Sequence, residues 1–192
     1  MCIRDRLFLV SLNVSAFNIK DINFINSEGK EVDLSQIDSE IIFEWSNLEC
    51  PYVKRHYGSN NMQTTQKFAK SKNVIWITVI SSAEGKQGYI QPNDAVNTFA
   101  SFGSFPDHIL VDENGDLGKK FNAKTTPHIF IADKNKNIVY QGAIDDAGGS
   151  RFWTTDLNQS TNFVKKVVND IKSNKPLSVS KTRPYGCSVK YG

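Results

Sequence analysis

Residues 41–55 run IIFEWSNLECPYVKR. Ile41-Ile42-Phe43-Glu44-Trp45 is a short, β-rich apolar run of the kind found in interior strands covered on both faces. Just beyond it, Cys50 is followed at once by Pro51. Proline suits the first turn of a helix, because its fixed φ matches that position and its missing N–H is not needed there. The pair therefore predicts a strand, a short loop and a helix with a cysteine at its amino terminus. Unpaired amides at a helix start favour a thiolate, and the thiolate is the nucleophilic form of sulfur. Lys54 and Arg55 act in the same direction and Glu49 against it. A lone cysteine is most often an inert core residue, but the position of Cys50 points to a reactive one.

Working outward, Val74 to Ile80 is a second interior strand, and Pro51 to Lys72 between the two reads as helix interrupted near Gly58-Ser59-Asn60-Asn61. This is a β-α-β unit with a right-handed crossover and parallel strands. Upstream, residues 17–36 read as a hairpin around Ser27-Glu28-Gly29-Lys30. Downstream, a helix is expected over about 93–102, capped by Asn93 or Asp94 after Pro92. A strand over His108–Asp112 follows, closed by a turn at 113–116. His128–Ala132 and Ile138–Gly142, separated by DKNKN, make an antiparallel hairpin. Phe163, Val164, Val167, Val168 and Ile171 form an amphipathic helical stripe, and a tail runs from Pro176 to Gly192. The expected fold class is α/β: a central mixed sheet flanked by helices, with an N-terminal hairpin and a C-terminal tail.

The chain has 192 residues, 39 % hydrophobic and 22 % charged, with a net charge of +3, which excludes a disordered, collagen-like or coiled-coil protein. Without a run of like charges there is no footprint for nucleic acid as a partner. Leu7–Leu12 after Arg4 and Arg6, ending in Val14-Ser15-Ala16, reads as a short signal peptide over residues 1–16, with the alternative of a buried strand. It is too short to span a bilayer, which takes about 20 apolar residues. Export to the periplasm or the extracellular space is the implied destination. The boundaries that follow are one domain over 17–176 and a tail over 177–192. Removal of Cys2 with the signal leaves Cys50 and Cys187.

A second signal lies at Lys124-Thr125-Thr126-Pro127, just before the strand at His128. Proline opening a strand is ordinary at a sheet edge, but a cis Thr126-Pro127 bond would turn the chain toward the sulfur of Cys50. Together the two signals resemble the thioredoxin fold, in its thioredoxin-like, peroxiredoxin-like branch of the redoxin superfamily. The resemblance runs through EWSNLECPYVKRHYGSNNMQ (44–63), SSAEGKQGYI (81–90), AKTTPHIFIADKNKNIVYQGAIDD (123–146) and TRPYGCSVKY (182–191). It implies a thiol-dependent oxidoreductase with Cys50 as nucleophile, Thr126 and cis-Pro127 beside it, a peroxide or disulfide as substrate and an external dithiol as reductant.

The departures from that pattern are specific. Val53 stands where a thioredoxin has its second cysteine. Phe43 and Asn47 stand where a peroxiredoxin has its proline and threonine, and Pro127 or His128 stands near the place of its arginine. Cys187 can serve as a resolving thiol if the tail folds back, and Arg183 can return a positive charge. The alternative for Cys187 is a free or structural thiol in a frayed tail. Glu44 is a candidate proton relay under the sulfur or a salt-bridge partner. His56, His108 and His128 are too scattered to predict a metal site, although Cys50 with His128 would suit a soft ion. Gly85 and Gly88 are turn glycines without the ending of a phosphate loop, and no cofactor is expected. Asp145-Asp146 reads as loop-shaping and Trp153 as a lid or packing residue. The competing function is a non-catalytic module that binds a protein partner or a soft metal ion through the same surface.

Overall fold

The computed structural model describes residues 19–149 and 152–192, so the signal peptide expected over 1–16 lies outside the described residues. The order of elements is β1 (Asn23–Ile25), β2 (Glu31–Asp33), β3 (Ile41–Trp45), α1 (Pro51–Gly58), α2 (Asn61–Ser71), β4 (Ile75–Ile80), α3 (Pro92–Ser101), β5 (His108–Val111), α4 (Asp116–Phe121), β6 (Thr125–Thr126), β7 (His128–Ala132), β8 (Ile138–Gly142), α5 (Phe163–Lys172) and β9 (Cys187–Ser188). The main sheet has the order β5-β4-β3-β7-β8. Strands β3, β4 and β5 are parallel neighbours, while β7 runs antiparallel to both β3 and β8. The mixed α/β fold expected from the chain is the one observed.

Side chains alternate across β3 and sort the core into two layers. Ile42 faces Val53, Met62, Phe99 and Val167, from α1, α2, α3 and α5. Phe43 and Trp45 face the other way, onto Phe121 of α4 and onto Ile22, Val32 and Leu34 of the N-terminal hairpin. The stripe on α5 buries Val164, Val167 and Val168 in the first of these layers. The break in the helical pattern after Gly58 has a local cause. Asn60 takes φ 61 between α1 and α2, a left-handed conformation that asparagine tolerates better than most residues.

Two details differ from expectation. Pro92 is itself the first residue of α3, so Gln91 and not Asn93 or Asp94 holds the cap position. The turn after β5 opens into α4, where Asp112 accepts from the amides of Leu117 and Gly118 at 3.1 and 2.9 Å and satisfies the helix start through a side chain upstream of it. The tail takes the folded-back course, one of its two expected alternatives. It does not fray: Ser180 and Thr182 bond the Gln141 backbone on the edge of β8, and β9 pairs antiparallel with β6 in the register Thr126↔Cys187. Further on, the Tyr191 hydroxyl donates to Ala123 O at 2.8 Å. No helix among the described residues is long and apolar enough to cross a membrane.

Candidate active site

Asn47 builds the loop that delivers Cys50. Its carbonyl accepts from the Cys50 amide at 2.9 Å, its side-chain oxygen accepts from the Glu49 amide at 2.9 Å, and its side-chain nitrogen donates to Gln87 O at 3.0 Å. This fixes the turn between β3 and α1, and leaves Cys50 as the residue before a helix opened by Pro51. The Thr126-Pro127 peptide bond is cis. The Cys50 thiol donates to the Thr126 carbonyl at 3.1 Å. The two sequence signals, distant along the chain, are thus in direct contact.

Cys187 completes the group. Its sulfur lies 2.7 Å from that of Cys50, and both cysteines are free thiols. A disulfide bond of ~2.05 Å is within reach of this spacing without backbone rearrangement. The position of Cys50 at a helix start predicts an exposed sulfur, and here the structure differs. Cys50 is 0 % exposed within the first core layer, whereas Cys187 is partly exposed and covers it. Burial, followed by the adjacent Cys50 sulfur, pushes the Cys187 thiol up to about 12; Lys190 and a hydrogen bond from the Tyr52 amide act in the opposite direction.

Gly186 explains how the tail can come so close. Its φ is 142, and a Cβ built there would overlap the Thr126 carbonyl oxygen and lie 2.7 Å from the carbonyl carbon. Only a residue without a side chain allows β9 to lie on β6 at this point.

The other sequence candidates sort as follows. Glu44 is fully buried and forms no salt bridge among the described residues. Its carboxylate accepts from Trp76 Nε1 at 3.0 Å, Thr78 Oγ1 at 3.2 Å and the Tyr57 hydroxyl at 3.1 Å. Burial raises its pKa against those hydrogen bonds, and raises that of Tyr57 as well. His128 is engaged away from the sulfur: its Nδ1 accepts from the Lys124 amide at 3.2 Å, and burial lowers its pKa to about 4. No cluster of three or more His, Cys, Asp or Glu side chains that could hold a metal occurs among the described residues. Phe43 is directed into the second core layer and Asn47 is committed to its turn, so neither position offers a hydroxyl to a peroxide. Arg183 lines a groove of about 710 Å³ beside the tail, together with Tyr52, Thr125, Asp145 and Tyr185.

One group went unread in the sequence. His56 and Asp145, both buried, meet Asn61 and the tail residue Tyr185. Asp145 was expected only to shape a loop. The available signal was the helical face of α1, where His56 falls among Val53 and Tyr57, buried neighbours that leave a polar ring in need of partners. Trp153 is 53 % exposed and packs on Tyr52 and Phe152, with Arg55 over its ring at 5.7 Å.

Comparison with known proteins matches this arrangement at the level of the fold. The sequence profile of the Redoxin family matches residues 15–152. A hypothetical protein from Sinorhizobium meliloti superposes with a TM-score of 0.74 at 17 % identity, covering 92 % of this chain and 94 % of its own. An uncharacterized conserved protein from Geobacillus kaustophilus gives 0.76 at 19 % identity, with 94 % of both chains covered. A thioredoxin-like protein from Aeropyrum pernix gives 0.51 at 19 % identity over 63 % of this chain and 80 % of that one. No curated protein sequence matches the chain.

Proposed function

The chain belongs to the redoxin family, and from that premise we propose that it is a thiol-disulfide oxidoreductase whose Cys50 and Cys187 alternate between a dithiol and a disulfide. The observation that supports this most is the 2.7 Å approach of two free sulfurs 137 residues apart in the chain. In the forward half-reaction the tail lifts and the Cys50 thiolate attacks one sulfur of a substrate disulfide. A mixed disulfide forms and the first substrate thiolate leaves. The tail returns, Cys187 gives up its proton and attacks Cys50, and the second substrate thiolate is released. The substrate gains two electrons and the protein holds the bridge. An external dithiol then attacks the Cys187 sulfur, the member of the pair that is partly exposed, and expels the Cys50 thiolate. Its second thiol displaces Cys187, so the dithiol leaves as a disulfide and both protein thiols are restored. Thr126 contributes the carbonyl that receives the Cys50 thiol, and Pro127 holds that carbonyl in place.

A disulfide suits the site better than a peroxide. No hydroxyl stands at Phe43 or Asn47 to orient a peroxide oxygen. The signal-like segment ending at Ala16 supports export, which N-terminal sequencing of the protein recovered from its host would check.

The test is reduction of a small disulfide by an added dithiol, followed in the parent, Cys50→Ser and Cys187→Ser, beside a hydroperoxide-consumption assay. Turnover in the parent with loss in both variants is expected. Equal inertness of all three would favour the non-catalytic binding module, and hydroperoxide consumption that outpaces disulfide reduction would assign the peroxide instead.

A further inference from the structure

Asp145, His56 and Asn61 form a buried polar group that the redox chemistry does not use, and the tail closes it. Asn61 Nδ2 lies 2.9 Å from His56 Nδ1 and 2.9 Å from Asp145 Oδ2. The Tyr185 hydroxyl donates to Asp145 Oδ1 and lies 3.2 Å from His56 Nε2. The Ala147 amide adds a donor to Asp145 Oδ1 at 3.1 Å. One assignment of protons satisfies every member. Asn61 gives its two amide protons to His56 Nδ1 and Asp145 Oδ2, His56 carries its proton on Nε2 and donates to Tyr185, and Tyr185 donates to the carboxylate. Burial, reinforced by Arg55, keeps His56 neutral with a pKa near 3, as this ring requires.

Tyr185 is the only member on the tail, separated from Cys187 by Gly186 alone. We propose that Tyr185 is the positioning residue of the tail: its hydroxyl, closing the ring with Asp145, His56 and Asn61, holds Cys187 over Cys50, and opening that ring uncovers the Cys50 sulfur. The cost of opening falls on buried groups. Asp145 is 1 % and His56 0 % exposed, so without the hydroxyl a carboxylate oxygen loses a donor and an imidazole N–H loses its acceptor where water is excluded. The aromatic contacts of Tyr185 with Tyr52, Phe152 and His56 remain when the hydroxyl alone is removed. The ring thus sets how often the sulfur that attacks substrate is exposed. That consequence rests on the redox reading above, whereas the latch itself rests only on geometry.

The test uses the full chain in a Cys2→Ser background, reduced, with the rate of Cys50 carbamidomethylation by iodoacetamide followed by peptide mass spectrometry. A sealed thiol reacts only through local opening, so the rate reports the opening equilibrium. Tyr185→Phe is expected to raise it roughly 10- to 100-fold, the range of one hydrogen bond to a charged group. Asp145→Ala raises it similarly, and the two effects do not multiply in the double variant, because both remove one bond. Ser178→Ala, which removes a bond to Asp170 at the root of the tail, leaves the rate within about twofold. A merely structural role for the tyrosine predicts equal rises in Tyr185→Phe and Ser178→Ala. Cys50 alkylation at the parent's rate in Tyr185→Phe, or that equal rise, overturns the proposal, and Tyr185→Phe decides alone if Asp145→Ala does not fold. Failure of the parent to form a Cys50–Cys187 bridge on oxidation would remove the redox reading and leave the alkylation result standing.

Discussion

Gly186→Ala should drive the tail off Cys50. At φ 142 an alanine is strained in itself, and its Cβ would lie 2.7 Å from the Thr126 carbonyl carbon and 3.3 Å from Pro127 N. Both are backbone atoms at the end of the main sheet and cannot swing aside as a flexible side chain would. A non-glycine residue in such a region costs about 1–3 kcal/mol, and the overlap with the carbonyl adds to it. The reduced chain is docked as well, but it can release the tail to escape this cost and the bridged form cannot, so the bridged form bears the strain less what undocking costs. Taking about 2 kcal/mol as the upper limit, the bridge weakens by up to roughly 30-fold relative to the dithiol, or up to about 44 mV at about 30 mV per tenfold. The measurement is an equilibrium titration in glutathione buffers with the Cys2→Ser chain, trapping free thiols with maleimide and counting adducts by mass. The half-point of Gly186→Ala should move toward more oxidising buffers by up to that amount. Gly58→Ala, in open space on α1, is the control and should not move it. A folded Gly186→Ala protein that bridges at the parent's half-point would refute the placement of β9 on β6.

Glu44→Ala leaves Trp76 Nε1, Thr78 Oγ1 and the Tyr57 hydroxyl without their common acceptor, and should cost about 3 kcal/mol or more by urea denaturation; a loss under 1 kcal/mol would contradict the network. His128 has its pKa lowered to about 4 in the fold against about 6.5 in the open chain, so the unfolded state takes up a proton first as the pH falls. Its share of stability is complete above pH ~6.5 and is lost toward pH ~4, so His128→Gln should reduce the acid-induced loss between pH 7 and pH 4 by roughly 3 kcal/mol. Unchanged slopes in the two proteins would rule this out. Trp153→Ala should leave stability within about 0.5 kcal/mol, because the indole is 53 % exposed; a thermal melt suffices to check it.

Much of the scaffold was legible because local rules and tertiary packing agree. The strand at 41–45, the proline-opened helix, the parallel strand at 75–80 and the hairpin around 133–137 are each set by apolar pattern or turn chemistry, and each forms as expected. Helix α4 escaped because its start is satisfied by Asp112, a residue that reads as the end of a strand. The pairing of β6 with β9 escaped because two-residue strands leave no periodicity to detect.

The chain alone determined that a cysteine opens a helix after a buried strand, that Thr126-Pro127 precedes another, and hence the kind of fold that brings them together. Only the folded molecule decided which sulfur is covered and by what. Hydrophobic period and turn residues are local properties, written every few positions. The contacts of Cys187 with Cys50 and of Tyr185 with Asp145 and His56 join parts of the chain far apart. They exist because a glycine lets the tail lie against a carbonyl and because the tail brings a hydroxyl that donates to a buried carboxylate beside a buried imidazole.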